Sequence, residues 1–148
     1  MKRKTLDFRF FVAAIGTGAT LIGLFVPIVT DLNGRAYTYP GFTVNQTETS
    51  SHLNLVLSVA LGLICGLSWS FARAEKYRAV RLCGWFALLT VALIAVHVLA
   101  TASGILTNAA EAATSLRLSH WDWGVACLIV GPILLIGAGQ SRIPRVRQ

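Results

Sequence analysis

Residues 53–103 read LNLVLSVALGLICGLSWSFA, then RAEKYRAVR, then LCGWFALLTVALIAVHVLATAS, and they contain the clearest structural pattern of the chain. The first and third parts hold no aspartate, glutamate, lysine or arginine, whereas the link between them holds four basic residues. Because an α-helix rises about 1.5 Å per residue, each apolar part is long enough to cross roughly 30 Å of hydrocarbon. The pattern predicts two membrane-spanning helices that form a hairpin.

Two further apolar runs flank this hairpin, and the second of them contains Pro132, which we expect to bend its helix. Of the 148 residues, 55% are hydrophobic and only 13% are charged, against about 25% in ordinary soluble domains. Such long apolar runs do not alternate as barrel strands must. The sequence therefore predicts an all-α integral membrane protein, a bundle of four transmembrane helices in a single domain over residues 1–148. The spans are predicted at residues 10–30, 53–72, 82–103 and 123–140, with outer loops at residues 31–51 and 104–120.

Basic residues are distributed unevenly between the two sides of this bundle. Eleven of the thirteen lysines and arginines precede the first span, fill the link between the second and third spans, or follow the fourth. Segments with such an excess lie in the cytoplasm, so we expect a multi-pass protein of the plasma (inner) membrane with both termini cytoplasmic. The net charge of +7 then indicates the orientation of the chain in the membrane and its contact with the lipid bilayer. It does not indicate nucleic-acid binding. The eleven are Lys2, Arg3, Lys4, Arg9, Arg73, Lys76, Arg78, Arg81, Arg142, Arg145 and Arg147.

The first outer loop, residues 31–51, is polar and differs in composition from the rest of the chain. Residues 35–39 and 42–44 flank Pro40–Gly41, a pair that suits the centre of a type II turn, so a short hairpin is predicted there. An irregular loop with tyrosines at the membrane interface fits the pattern equally well. In the second outer loop, the alanine-rich residues 108–113 predict a helical continuation of the third span.

Glycines inside the spans indicate where helices pack closely. Gly62 and Gly66 are four residues apart in the second span, and Gly16 belongs to a glycine-rich part of the first. Small residues let helix backbones approach each other in lipid, where no hydrophobic effect drives helices together. We predict packing or partner contacts at these glycines, with a neighbour that belongs either to the same chain or to another one.

The densest polar and aromatic cluster precedes the fourth span, at Trp121, Asp122 and Trp123. Tryptophan at this position is typical of the aromatic belt of a membrane protein. Ser119 or Asp122 is predicted to cap the fourth helix by accepting a backbone N–H group, and the carboxylate of Asp122 also favours the positive end of the helix dipole. Contact with a partner protein at this rim is the other prediction for the cluster.

His97 is the only ionisable side chain well inside a span apart from the cysteines. His52 and His120 also lie toward the outer side, so the three could converge on a metal ion or a haem, but no diagnostic spacing supports such a site. We predict instead that His97 points into the bundle or a partner interface, hydrogen-bonded to a residue such as Asn54 or Thr20. No metal and no cofactor are expected.

Motifs of enzymes and of coupled transporters are missing from the sequence. No phosphate-binding glycine loop, nucleophile elbow or pair of catalytic carboxylates occurs, and the spans hold no carboxylate that could drive proton-coupled export. Cys65, Cys83 and Cys127 form no CxxC pair. We therefore predict a non-catalytic accessory or assembly subunit of a larger membrane complex, or a homo-oligomer. The alternative is a small transporter or lipid-binding protein that uses an outer-facing cleft near His97.

Overall fold

The computed structural model describes residues 8–30, 36–40, 48–102 and 120–140. Within these ranges the chain forms four α-helices and three strands of two residues each. All four helices are long and apolar enough to span a membrane, as the sequence predicts. The helices are α1 (Phe8–Phe25), α2 (Glu48–Arg73), α3 (Tyr77–Ala102) and α4 (Trp123–Gln140); the strands are β1 (Val29–Thr30), β2 (Ala36–Tyr37) and β3 (His120–Trp121).

The four helices form an antiparallel bundle in which each helix packs beside its neighbours in the chain. The last helix, α4, also packs against the first, α1, so the four helices form a closed ring. This contact is the most extensive in the bundle. The contact of α2 with α1 is much smaller, so α2 is held mainly by α3. We call the end that carries the link between α2 and α3 the turn end, and the end that carries the three strands the sheet end.

A tight turn joins α2 to α3. The Lys76 amide donates to the Phe71 carbonyl at 2.9 Å, and the Glu75 amide donates to the Ala72 carbonyl at 3.1 Å. This pair of hydrogen bonds is the Schellman motif, which ends a helix with one residue in the left-handed region. Glu75 takes that position, with a φ of 57°. The turn forces the apolar segments on either side of it to run antiparallel.

The first helix ends at Phe25, five residues before the predicted end of the first span. Val26 precedes a proline, and the residue before a proline is disfavoured in the helical conformation. Pro27 itself has no N–H to donate. The chain therefore leaves the helix there and enters β1. In α4, by contrast, the helix continues through Pro132.

The three strands form an antiparallel sheet in the order β2, β1, β3. Val29 pairs with Tyr37 on one side and with Trp121 on the other, so both outer loops are joined to the end of α1. The sequence predicted a different pairing, of residues 35–39 with residues 42–44. Residues 41–47 lie outside the described residues, as does the predicted helical segment 108–113, so both of those proposals stay predictions.

Apolar side chains cover the outside of the bundle as well as its inside. Leu24, Leu61, Val91 and Leu128 belong to a buried cluster near the sheet end, and a second cluster lies near the turn end. Large apolar side chains on all four helices are nonetheless exposed, with Leu63 at 65% as an example. Water-soluble proteins rarely expose such continuous apolar surface. The bundle therefore has the surface expected of helices surrounded by lipid.

Candidate functional site

Small residues line the contact between α1 and α4, which we call the α1–α4 seam: Gly16, Thr20, Gly23, Gly124 and Gly131. A methyl group added at Gly131 would lie 2.7 Å from the Thr20 amide nitrogen and 2.8 Å from the Gly16 carbonyl oxygen. One added at Gly124 would lie 2.5 Å from the Pro27 carbonyl oxygen. These distances are shorter than van der Waals contact, so the two backbones approach this closely only because glycine has no side chain.

Gly16 and Thr20 are therefore engaged within the chain. The Thr20 hydroxyl donates to the Gly16 carbonyl oxygen at 2.8 Å, inside α1. The sequence left open whether the neighbour of Gly16 belongs to this chain, and the structure places α4 against it. It also places Thr20 in this seam, where its hydroxyl bonds to its own helix.

Gly62 and Gly66 have the opposite environment. The structure describes no atom within 4 Å of a methyl group added at either position. Both glycines lie on the outward side of α2 together with the exposed Val59 and Leu63, and we call these four residues the α2 outer face. Ser70, one turn further on, donates its hydroxyl to the Gly66 carbonyl at 3.0 Å. The result is a shallow notch between apolar side chains on the least buried of the four helices.

At the sheet end, Asp122 joins the beginning of α4 to the end of α1. Its carboxylate Oδ2 accepts a hydrogen bond from the Thr30 hydroxyl. Its backbone amide donates to the Ile28 carbonyl at 3.1 Å, and its own carbonyl accepts from the Val125 amide at 3.1 Å. The residue therefore stands at the cap position of α4, where negative charge is favoured by the helix dipole. The partner of its side chain on β1 was not foreseen from the sequence.

Of the two tryptophans that flank Asp122, only Trp123 has a side chain among the described residues. Trp123, the first residue of α4, is 81% exposed. Trp121 pairs through its backbone with Val29 in the sheet, and its side chain lies outside the described residues. An exposed indole at the end of an apolar helix has the position of an aromatic-belt residue. A contact of this rim with a partner protein stays a prediction.

His97 is buried near the sheet end of α3, with 8% of its surface exposed. Asn54 on α2 is completely buried. Counted from the α2–α3 turn, Asn54 and His97 are almost equally far along their antiparallel helices, so they lie at a similar depth. His97 therefore points into the bundle at the level of the predicted partner Asn54 and not toward the outer surface of the bundle.

The histidines and cysteines do not form a metal centre in the part of the chain that the structure describes. Within residues 8–30, 36–40, 48–102 and 120–140, no three histidine, cysteine or acidic side chains are placed to hold a metal ion. His52 is exposed while His97 is buried, and the side chain of His120 lies outside the described residues. The three cysteines of the chain are free thiols.

A groove of about 330 Å³ lies between α3 and α4 in the half of the bundle near the sheet end. Its walls include Val91, Ile94, Val98 and Leu128, and among its described lining residues none has a polar side chain. His97 does not line it. The groove lies on a different side of α3 from His97, and its described lining side chains offer no hydrogen bond to a polar solute. The cleft near His97 stays a prediction.

Tyr39, in the first outer loop, is completely buried at the sheet end and packs with the core cluster that contains Leu61 and Val98. Its hydroxyl has no hydrogen-bond partner in the described part of the chain. Burial raises the pKa of Tyr39 to about 12. The loop therefore folds back over the helices at this point. The local sequence does not distinguish Tyr39 from Tyr37, so the sequence analysis could not single it out.

A second cavity, of about 620 Å³, opens at the turn end between α1, α3 and α4. We call it the arginine pocket, because three arginines from two helices line it. The Arg9 guanidinium carbon lies 5.5 Å from the centre of the Tyr77 ring, which is a cation–π geometry. The sequence showed that this end of the bundle is basic but not that these side chains share one cavity. Its lining residues are Arg9, Tyr77, Arg78, Arg81, Leu82, Trp85, Gly139 and Gln140.

Comparison with profiles of known protein families, with curated proteins and with solved structures finds no match for this chain.

Proposed function

We propose that this chain is a non-catalytic, multi-pass protein of the plasma (inner) membrane that associates with the transmembrane helix of another chain through the α2 outer face. The membrane arrangement is supported by the apolar outside of the bundle and by the collection of basic residues at the turn end. In this arrangement the turn end and both termini are cytoplasmic. The sheet end, with the exposed Trp123, faces the opposite side.

The observation that carries the proposal is the open notch at Gly62 and Gly66. Helices in lipid associate through close packing and interhelical hydrogen bonds, and a pair of glycines one turn apart permits such an approach. The α1–α4 seam shows what that approach looks like in this protein, with backbones in direct contact at Gly16 and Gly131. The α2 outer face offers the same small residues and has no helix against it in the described chain.

The decisive experiment replaces Gly62 and Gly66 with leucine and measures association after purification in mild detergent. Gly62→Leu/Gly66→Leu adds two side chains to the notch without a clash inside the chain, so folding is expected to persist while association is lost. Gly137→Leu is the matched control, because a methyl group at Gly137 also meets no described atom within 4 Å. Mass spectrometry of the purified material distinguishes a second copy of this chain from a different membrane protein.

Two outcomes would contradict the proposal. One is unchanged association in the double leucine variant with the control also unchanged. The other is a wild-type protein that purifies as a lone monomer and moves a solute across liposomes. The latter result would favour a small transporter.

The arrangement in the membrane has its own test. Alkaline phosphatase fused after Gln148 is expected to be inactive, because the enzyme needs export to fold and the carboxyl terminus is proposed to be cytoplasmic. An active fusion at that position would refute the proposed orientation. Extraction with alkaline carbonate, which releases proteins that only adhere to the membrane, is expected to leave the chain in the membrane fraction.

A lipid-binding role is the second candidate, and the groove between α3 and α4 favours it. The groove is apolar and open toward the outside of the bundle, so it suits an acyl chain better than a polar solute. Ala92→Trp, which adds a large side chain at an exposed position of the groove wall, is expected to reduce lipid carried through purification if this candidate is correct. Unchanged lipid content in that variant would remove it.

A further inference from the structure

The arginine pocket is positively charged, and its walls come from helices that contact one another. Arg9, Arg78 and Arg81 line it, and among the described residues that do so none is acidic. At the whole turn end, Glu75 is the only acidic residue within the described ranges. Three guanidinium groups that line one pocket, with no acidic side chain among its described lining residues, favour an anion, and arginine in particular matches the geometry of phosphate.

Two contacts place Arg9 and Arg81 at the pocket. The stacking of Arg9 on Tyr77 brings the arginine of α1 against α3. A methyl group at Gly139 would collide with Arg81 and would lie 2.8 Å from the Tyr77 carbonyl oxygen, so α3 and α4 are in direct contact beside the pocket. A site whose walls are already in place loses less conformational entropy when a ligand binds.

The other wall of the pocket is apolar and continues toward the middle of the bundle. Leu82 and Trp85 line it and are 60% and 50% exposed, on the side of α3 that would face lipid. An inorganic phosphate ion would make no favourable contact with this apolar wall. A phospholipid would place its headgroup among the arginines and its acyl chains along Leu82 and Trp85. The volume of about 620 Å³ falls in the range of about 300–1,000 Å³ usual for small-molecule sites.

We infer that the arginine pocket binds the phosphate headgroup of an anionic phospholipid from the leaflet at the turn end. Basic pockets between transmembrane helices on the cytoplasmic side are suited to such headgroups. The inference rests on the membrane-spanning arrangement proposed above, but it does not depend on the contact through α2. A lipid held there would join α1, α3 and α4 at the end of the bundle farthest from the sheet.

The test measures binding of dioleoylphosphatidylglycerol to the purified full chain by native mass spectrometry, with dioleoylphosphatidylcholine as the lipid of zero net charge. The anionic lipid is expected to stay bound and the other to dissociate. Arg78→Gln/Arg81→Gln is expected to weaken binding about thirty-fold, since each basic residue near anionic lipid contributes about 1 kcal/mol. Arg78→Lys/Arg81→Lys, which keeps the charge, is expected to recover most of the affinity.

Arg73→Gln is the matched control. Arg73 is a basic residue at the same end of the bundle, but it lies on α2, 5.5 Å from the centre of the Trp69 ring, and does not line the pocket. Its replacement is expected to change lipid binding by less than about three-fold, the size of a peripheral surface charge. Arg78 and Arg81 are both exposed, so the glutamine variants are expected to fold.

Three results would overturn the inference: equal binding of the two lipids, unchanged binding in the double glutamine variant, or competition by inorganic phosphate as strong as that by the anionic lipid. The last would identify a site for a soluble anion. If alkaline carbonate instead releases the chain from membranes, the proposed membrane arrangement fails. A chain that stays in the membrane but binds both lipids alike refutes only the lipid site.

Discussion

Glycines occur in both the α1–α4 seam and the α2 outer face. Those of the seam contact a neighbouring helix, whereas those of the outer face contact no described helix. At the seam, a methyl group at Gly131 would lie 2.8 Å from the Gly16 carbonyl oxygen, whereas one at Gly62 would meet no described atom within 4 Å. The difference shows that glycine spacing indicates a capacity for close packing and does not say which helix uses it. The seam holds α1 and α4 together, whereas no described part of the chain packs against the α2 outer face at these glycines.

The strongest test of this difference is Gly131→Ala. The added methyl group would collide with Thr20 and the Gly16 carbonyl, so α1 and α4 would have to separate. Overpacking of this kind costs about 1–3 kcal/mol, and contact with backbone atoms places the expected loss of unfolding free energy near about 3 kcal/mol. Thermal unfolding in detergent, followed by circular dichroism, measures it. Gly137→Ala on the same helix is the control, and equal melting temperatures for the two variants would contradict the closed seam.

A smaller loss is expected at the sheet end of the same two helices. Asp122→Ala removes the carboxylate that accepts the Thr30 hydroxyl, and hydrogen bonds to charged groups contribute about 1.5–3 kcal/mol. We expect the free energy of unfolding to fall by about 2 kcal/mol. A double-mutant cycle with Thr30→Val isolates the pair. If the two single effects simply add, the side chains are not coupled and the assignment of this contact is wrong.

Substitutions of His97 test the buried interior of the bundle at a position away from the glycine contacts. His97→Leu removes a buried polar side chain at the level of Asn54 and is expected to destabilise the bundle by about 0.6 kcal/mol, the average for hydrogen bonds between helices in membranes. His97→Gln keeps hydrogen-bonding ability and is expected to be tolerated. Unfolding and association are measured for both variants. A His97→Gln protein that folds and associates normally but has lost its function would favour proton or metal chemistry over a structural role.

The smallest effect is expected on the open face. Gly62→Ala/Gly66→Ala places two methyl groups in empty space, so the free energy of unfolding of the monomer is expected to change by less than about 0.5 kcal/mol. The same variant is expected to weaken association in mild detergent. A loss of stability comparable to that of Gly131→Ala would mean that α2 packs against its own chain through this face, and the contrast between the two regions would disappear.

The outer parts of the chain show where local patterns were insufficient. The pair Pro40–Gly41 predicts a hairpin within the first loop, and its second strand lies outside the described residues. The pairing of Ala36–Tyr37 with Val29–Thr30 was not foreseen, because it depends on the early end of α1 before Pro27, which leaves an extended segment there. Tyr39 then covers the sheet end of the core. Strand pairing and burial of this kind depend on where the helices end, which no short window of sequence contains.

The four apolar helices, the charge difference between the two ends and the antiparallel turn between the second and third helices could all be predicted from the sequence. These features follow from length, hydropathy and charge, which are properties of consecutive residues. The packing of the helices, which the sequence does not contain, places Gly16 against α4, leaves Gly62 and Gly66 facing outward, and brings Arg9 together with Arg78 and Arg81 in one pocket. Because apolar residues occur on every side of these helices, the contacting face depends on the close packing of all four backbones together.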